Sequence, residues 1–143
     1  MALLSPHDRQ TLTAHLAPIS RKVDLLLFTQ TIGGSESGLI AKQVADEVAS
    51  LHEKIAVVEK NFVLDTDDRA KYGVDKAPAL VVLGDGADTR IRFYGANTGY
   101  EFVSLVEAVL LAGTGDLELE PETVASLAAV DTPMHIQVFS TPT

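Results

Sequence analysis

Apolar and polar positions along this chain fall into blocks whose period changes, and each change marks an element. Ser5-Pro6-His7-Asp8 reads as a helix start: Ser5 caps, Pro6 suits the first turn, and Asp8 sits at the positive helix end. Leu12 and Leu16 then fall one turn apart on a face to be buried, and Pro18 stops the helix. Val23–Thr29 is an apolar run of strand length, dense enough for a central strand covered on both faces. After a glycine-containing turn over Thr31–Ser35, the positions Leu39, Ile40, Gln43, Val44, Glu47, Val48 and Leu51 recur with helical spacing and carry an apolar stripe. Lys54–Phe62 returns to strand character, and Asp65–Tyr72 is a short helix that Asp65 or Thr66 caps and Gly73 ends.

Ala79–Leu83 and Arg90–Tyr94 are two further strands around the turn cluster Gly84–Asp88, which predicts a hairpin. A loop over Gly95–Gly99 leads to a helix over Phe102–Ala112 with Phe102, Leu105, Val106 and Val109 inward, ended by Gly113-Thr114-Gly115. Pro121–Val130 is one more helix and Met134–Phe139 a last strand. The first strand, helix and strand imply a right-handed crossover and a parallel pair. The order β-α-β-α-β-β-α, with an extra N-terminal helix and a C-terminal helix–strand extension, predicts the α/β class.

Composition narrows what such a domain can do. The 143 residues suffice for one domain with a real core, and 46% hydrophobic content is ordinary for a globular chain. Twenty acidic against eleven basic residues leave a net charge of −9, which argues against nucleic acid or an anionic membrane as partner. The longest apolar runs are too short to span a bilayer, and the N-terminus lacks a signal-peptide pattern, so the cytosol is the expected compartment. There is no cysteine. That count excludes a disulfide, a thiolate nucleophile and any cysteine-containing metal site. His7, His15, His52 and His135 are scattered without paired spacing, and Asp65-Thr66-Asp67-Asp68 lacks the glycine and terminal glutamate of a calcium loop. Neither a metal nor a cofactor is expected.

Two segments carry a family resemblance. Tyr72-Gly73-Val74-Asp75-Lys76-Ala77-Pro78 resembles the approach to the third strand in thioredoxin-like proteins, and the resemblance implies that Pro78 is the cis-proline beside the redox site. Tyr94-Gly95-Ala96-Asn97-Thr98-Gly99-Tyr100-Glu101-Phe102 is similar to a more specific signature of tandem glutaredoxin-like protein disulfide oxidoreductases. The N-terminal domain of the flavoprotein subunit of alkyl hydroperoxide reductases has a close relative of it. The implied fold is thioredoxin-like over residues 1–113. The end of the chain, Val138-Phe139-Ser140-Thr141-Pro142-Thr143, echoes Leu27-Phe28-Thr29-Gln30-Thr31, so residues 114–143 read as an acidic linker, a helix and the first strand of a second such unit. In the tandem family a segment of this kind is followed at once by Cys-Pro-Tyr-Cys.

The resemblance implies a thiolate at the N-terminus of the helix after the first strand, and a second cysteine three residues on. Here that corner is Gly33-Gly34-Ser35-Glu36-Ser37-Gly38. Aligned from the helix, Ser35 and Gly38 take the cysteine positions; aligned from the strand, Gly34 and Ser37 do. Neither pair can exchange a disulfide. Glu36 and the absent Lys-Ser/Thr pair argue against a phosphate loop, and Gly34–Gly38 lacks the G-x-S-x-G elbow of a serine hydrolase. The chain is therefore expected to be no enzyme by itself. Its groove, lined by Ile32, Gly33, Ala77, Pro78 and Gly95, is expected to take an extended peptide or to serve a catalytic unit. Expected partners are a second thioredoxin-like unit of the same polypeptide or a homodimer mate. A stand-alone peptide-binding adaptor is the alternative.

Overall fold

A computed structural model describes residues 3–30 and 34–141 of the chain. Its elements are α1 (Pro6–Leu16), β1 (Val23–Thr29), α2 (Glu36–Ala49), β2 (Ile55–Asn61), α3 (Thr66–Lys71), β3 (Ala79–Gly84), β4 (Ala87–Tyr94), α4 (Tyr100–Thr114) and α5 (Pro121–Ala128). One four-stranded sheet runs β2-β1-β3-β4, with β1 and β2 parallel and the other neighbours antiparallel. This is a thioredoxin-like α/β arrangement.

The alternation along β1 divides the core. Val23, Leu25 and Leu27 face a large cluster with Leu16 of α1, Val44 and Val48 of α2, and Leu105 and Val109 of α4. Leu26 and Phe28 face the other way, into a smaller cluster with Tyr72, Val74, Ala79, Val81 and Leu83 beside the six-residue α3. Both faces of β1 are buried, as the density of its apolar run requires. Ser5 caps α1 by accepting the Asp8 N–H at 3.1 Å. Asp65 stands at the N-cap of α3 without a side-chain cap bond, because its Oδ2 accepts the Asn61 N–H instead.

The sheet has two distinct ends. Phe28 pairs with Ala79 and Ala79 with Tyr94, so the ends of β1 and β4 and the start of β3 share one pole with the N-termini of α2 and α4. At the opposite pole the Gly113 carbonyl accepts the N–H groups of Ser20 and Arg21, and the chain leaves α4 there. The loop Gly95–Gly99 reaches α4 with positive φ at Gly95, Asn97 and Gly99, a turn that two glycines make inexpensive.

Four expectations are corrected. The Gly84–Asp88 turn is tighter: Asp85 and Gly86 form it, and β4 starts at Ala87. The strand then absorbs extra residues at a bulge, where Arg90 has φ 66° and the pairing shifts between Val81 and Leu83. Leu39, assigned inward, is 74% exposed because Ala41, Val44, Ala45 and Val48 form the buried face of α2 and Leu39 lies on the other side of the helix. Met134–Phe139 forms no strand; its residues are exposed, since a strand exists only within a ladder and no described residue supplies one. The last helix ends at Ala128, two residues before Val130.

The bulge is braced by a two-pronged ion pair. Arg92 Nη1 and Nη2 donate to Asp88 Oδ1 and Oδ2 at 2.8 and 2.6 Å, while Arg92 Nε donates to the Tyr72 carbonyl at 3.0 Å. Arg92 holds the Asp88 carboxyl below its ordinary value. A lowered folded pKa stabilises the fold above the unfolded value of about 4, and that stabilisation fades as the pH falls through the folded value. Stability measured downward from about pH 5 is therefore expected to fall less steeply in Arg92→Met than in the parent. Equal slopes would remove the pair from the account of acid stability.

Candidate functional site

The corner where β1 ends and α2 begins holds most of the residues singled out in the sequence. Ser35 stands at the N-cap of α2 in extended backbone, φ −78° and ψ 159°. Its hydroxyl makes no cap bond; it is hydrogen-bonded to the Ser37 hydroxyl. The Gly38 N–H donates to the Ser35 carbonyl at 2.9 Å and closes the first turn. Ser35 and Gly38 thereby face the same narrow cleft, which Thr29, Gln30, Gly34, Ala77 and Pro78 complete.

The opposite wall is the approach to β3. The Ala77–Pro78 peptide is cis, Pro78 is buried, and its carbonyl accepts the Gly95 N–H at 3.0 Å. Gly95 thus sits behind Pro78 as a support. Gly34, Ser35, Gly38, Ala77 and Pro78 are brought together, while Ser37 is reached through Ser35. Ile32 and Gly33 lie outside the described residues.

A wider cavity of about 310 Å³ opens from the same corner and adds residues that sequence reasoning missed: Leu39, Lys42 and Glu59. Lys42 Nζ lies 2.5 Å from Glu59 Oε1 and 3.2 Å from Asp46 Oδ2. These partners, Glu59 foremost, raise the Lys42 pKa above the ordinary lysine value. The Lys42–Asp46 half was legible as an i,i+4 pair on one helix; the bridge to β2 was not, because it needs the parallel register. On the far side of Pro78, burial and the charge of Asp75 raise the Tyr94 hydroxyl above its ordinary value, and Lys76 Nζ lies 5.3 Å from the Tyr94 ring.

The chemistry open to this corner is limited. Serine hydroxyls cannot form or exchange a disulfide, and no histidine lines either cleft to activate them. Among the described residues, no group of three or more His, Asp or Glu side chains could hold a metal, and no helix is long and apolar enough to cross a membrane.

No protein-family model matches the chain. The F subunit of alkyl hydroperoxide reductase from Escherichia coli (strain K12) is 26% identical over 111 residues, 78% of this chain and 19% of that protein. A solved structure of the corresponding F subunit from Enterococcus faecalis (V583), a C503A mutant, superposes with a TM-score of 0.81 at 31% identity over 88% of this chain. The chain is homologous to the N-terminal domain of the alkyl hydroperoxide reductase F subunit. This thioredoxin-like domain also superposes on a protein disulfide oxidoreductase from Aeropyrum pernix K1, with a TM-score of 0.75 over 87% of its length; at 20% identity that likeness speaks to fold. It spans about a fifth of the E. coli protein, 60% of the E. faecalis chain and 54% of the A. pernix chain. The thioredoxin-like body has no sulfur from cysteine anywhere in it.

Proposed function

We propose that this domain is the redox-silent thioredoxin-like module of a disulfide oxidoreductase-type protein, serving a catalytic Cys-x-x-Cys unit located after Thr143. The observation that carries the reading is a thioredoxin corner with its helix start and cis-proline in place and hydroxyl or hydrogen where sulfur would be. The module would pack against the second unit, hold a dimer, or extend the substrate groove. Its partners would be that unit, a second copy, or an extended peptide, with neither nucleic acid nor membrane, no cofactor, and a cytoplasmic location. The length of the relatives beyond the matched region supports a longer polypeptide.

The tail fits the same reading. Met134, Ile136, Val138 and Phe139 are 71–89% exposed, an apolar segment that residues 114–141 leave uncovered. As the first strand of a second unit it would be buried on both sides. Backbone amides of Met134–Phe139 are therefore expected to exchange with deuterated solvent within seconds in this chain. In the longer protein they would be strongly protected. Fast exchange in both would argue against the second unit.

Two measurements test the proposal directly. The coding sequence beyond Thr143 should continue into Cys-x-x-Cys and another strand–helix–strand order. The present chain should add nothing to insulin disulfide reduction by dithiothreitol, and turnover above the protein-free control would overturn its silence. A second reading, a stand-alone peptide-binding adaptor, draws on Ala77, whose backbone N–H and C=O make no hydrogen bond to another described residue. A stop codon after Thr143 would favour it.

A further inference from the structure

We infer that the silent corner retains the backbone of a dithiol site in one register only, with Ser35 at the position of the attacking thiol, Gly38 at that of its resolving partner, and Gly34 held to glycine. The inference rests on the thioredoxin reading of this corner but not on any sequence beyond Thr143. Sequence alignment alone admits two pairs, Ser35 with Gly38 or Gly34 with Ser37, and the space around each Cβ separates them.

A Cβ on Gly34 would stand 2.1 Å from the Gln30 carbonyl oxygen and 3.2 Å from its carbon. These are backbone atoms, so no side-chain rotation relieves the contact, and any residue but glycine displaces the chain. A Cβ on Gly38 meets nothing within 4 Å. Ser35 and Gly38 both line the cleft against Ala77 and Pro78, whereas Ser37 lines neither of the two cavities. One closed turn separates Ser35 from Gly38, which puts their Cα atoms about 5–6 Å apart, inside the span of a disulfide. The N-cap position of Ser35 would also favour a thiolate there.

The probe is glutathione disulfide, and the step it tests is balanced. A thiolate at position 35 attacks one sulfur of the probe, the probe's S–S bond breaks, and one glutathione thiolate leaves. With a second thiol at position 38, that group attacks the mixed disulfide, a ring disulfide forms, and the second glutathione leaves; two protein thiols are oxidised as one disulfide is reduced. Ser35→Cys is expected to stop at the adduct, and Ser35→Cys with Gly38→Cys to release two glutathiones and lose two hydrogens by intact mass. A pKa lowered by about one unit raises thiolate about tenfold, and the weaker nucleophile returns about threefold of that. Ser35→Cys should therefore react about threefold faster at pH 7 than Ser126→Cys on the exposed α5. Gly34→Cys with Ser37→Cys should melt several degrees lower and close no ring. Ring closure by the Gly34/Ser37 pair, or a lasting double adduct on the Ser35/Gly38 pair, would overturn the inference. If the double variants fail to fold, the near-isosteric Ser35→Cys still decides, since a rate equal to that of Ser126→Cys counts against it. None of these results bears on whether a catalytic unit lies beyond Thr143, so the two readings fail separately.

Discussion

Phe28→Ala is expected to destabilise the domain by about 3–5 kcal/mol. Phe28 has no exposed surface and is the largest fully buried side chain of the smaller cluster, wedged among Leu26, Tyr72, Val74, Ala79 and Val81. That side of the sheet is poorly able to collapse around a loss. Its helical cover is the six-residue α3, which contributes no buried residue of its own, and Tyr72 and Val74 are held by the chain just beyond it. The cavity term should therefore add to the transfer term rather than be relaxed away. Domains of this size are stable by about 5–15 kcal/mol in all, so the variant should lie near the edge of folding at 37 °C. Urea denaturation at 25 °C measures the change, and a loss below about 1 kcal/mol would show that the face repacks freely. Phe28 pairs with Ala79, the residue after Pro78, so the same variant should loosen the wall of the cleft.

Gly84→Val is expected to cost about 1–3 kcal/mol, against the local preference of the strand. Valine is a better strand residue than glycine by up to about 1 kcal/mol, and Gly84 pairs within β3 with Ala87 and Val23, so sequence logic alone predicts a gain. The tertiary contact reverses the sign. A Cβ at Gly84 would lie 2.9 Å from the Ala112 carbonyl oxygen of α4, a backbone atom that moves only if the helix moves. Gly113, one residue on, has the Ile19 side chain 2.7 Å from where its own Cβ would be, so α4 has no slack on either side. A drop in denaturation midpoint at constant slope is the expected reading; an unchanged or raised midpoint would mean that the helix shifts at little cost.

Local periodicity made most of the fold legible. β1 was readable as a doubly buried strand from Val23–Thr29 because Val23, Leu25, Leu26, Leu27 and Phe28 put apolar side chains on both alternating faces, and the start of α1 was readable because Ser5 bonds only three residues ahead. The candidate site was legible in part. Pro78 and the Gly34–Gly38 corner stood out by residue type, while Lys42, Glu59 and Leu39 did not, since their place in the cavity follows from how α2 crosses β2.

The strand and helix order and the want of cysteine belong to the sequence itself, since both follow from residue identity and short-range spacing. The register of the corner, the bulge at Arg90, the exposure of Leu39 and the unpaired Met134–Phe139 segment were decided by the tertiary structure. Each of these depends on which backbone or neighbour lies within a few ångströms, and that distance is a property of the packed chain.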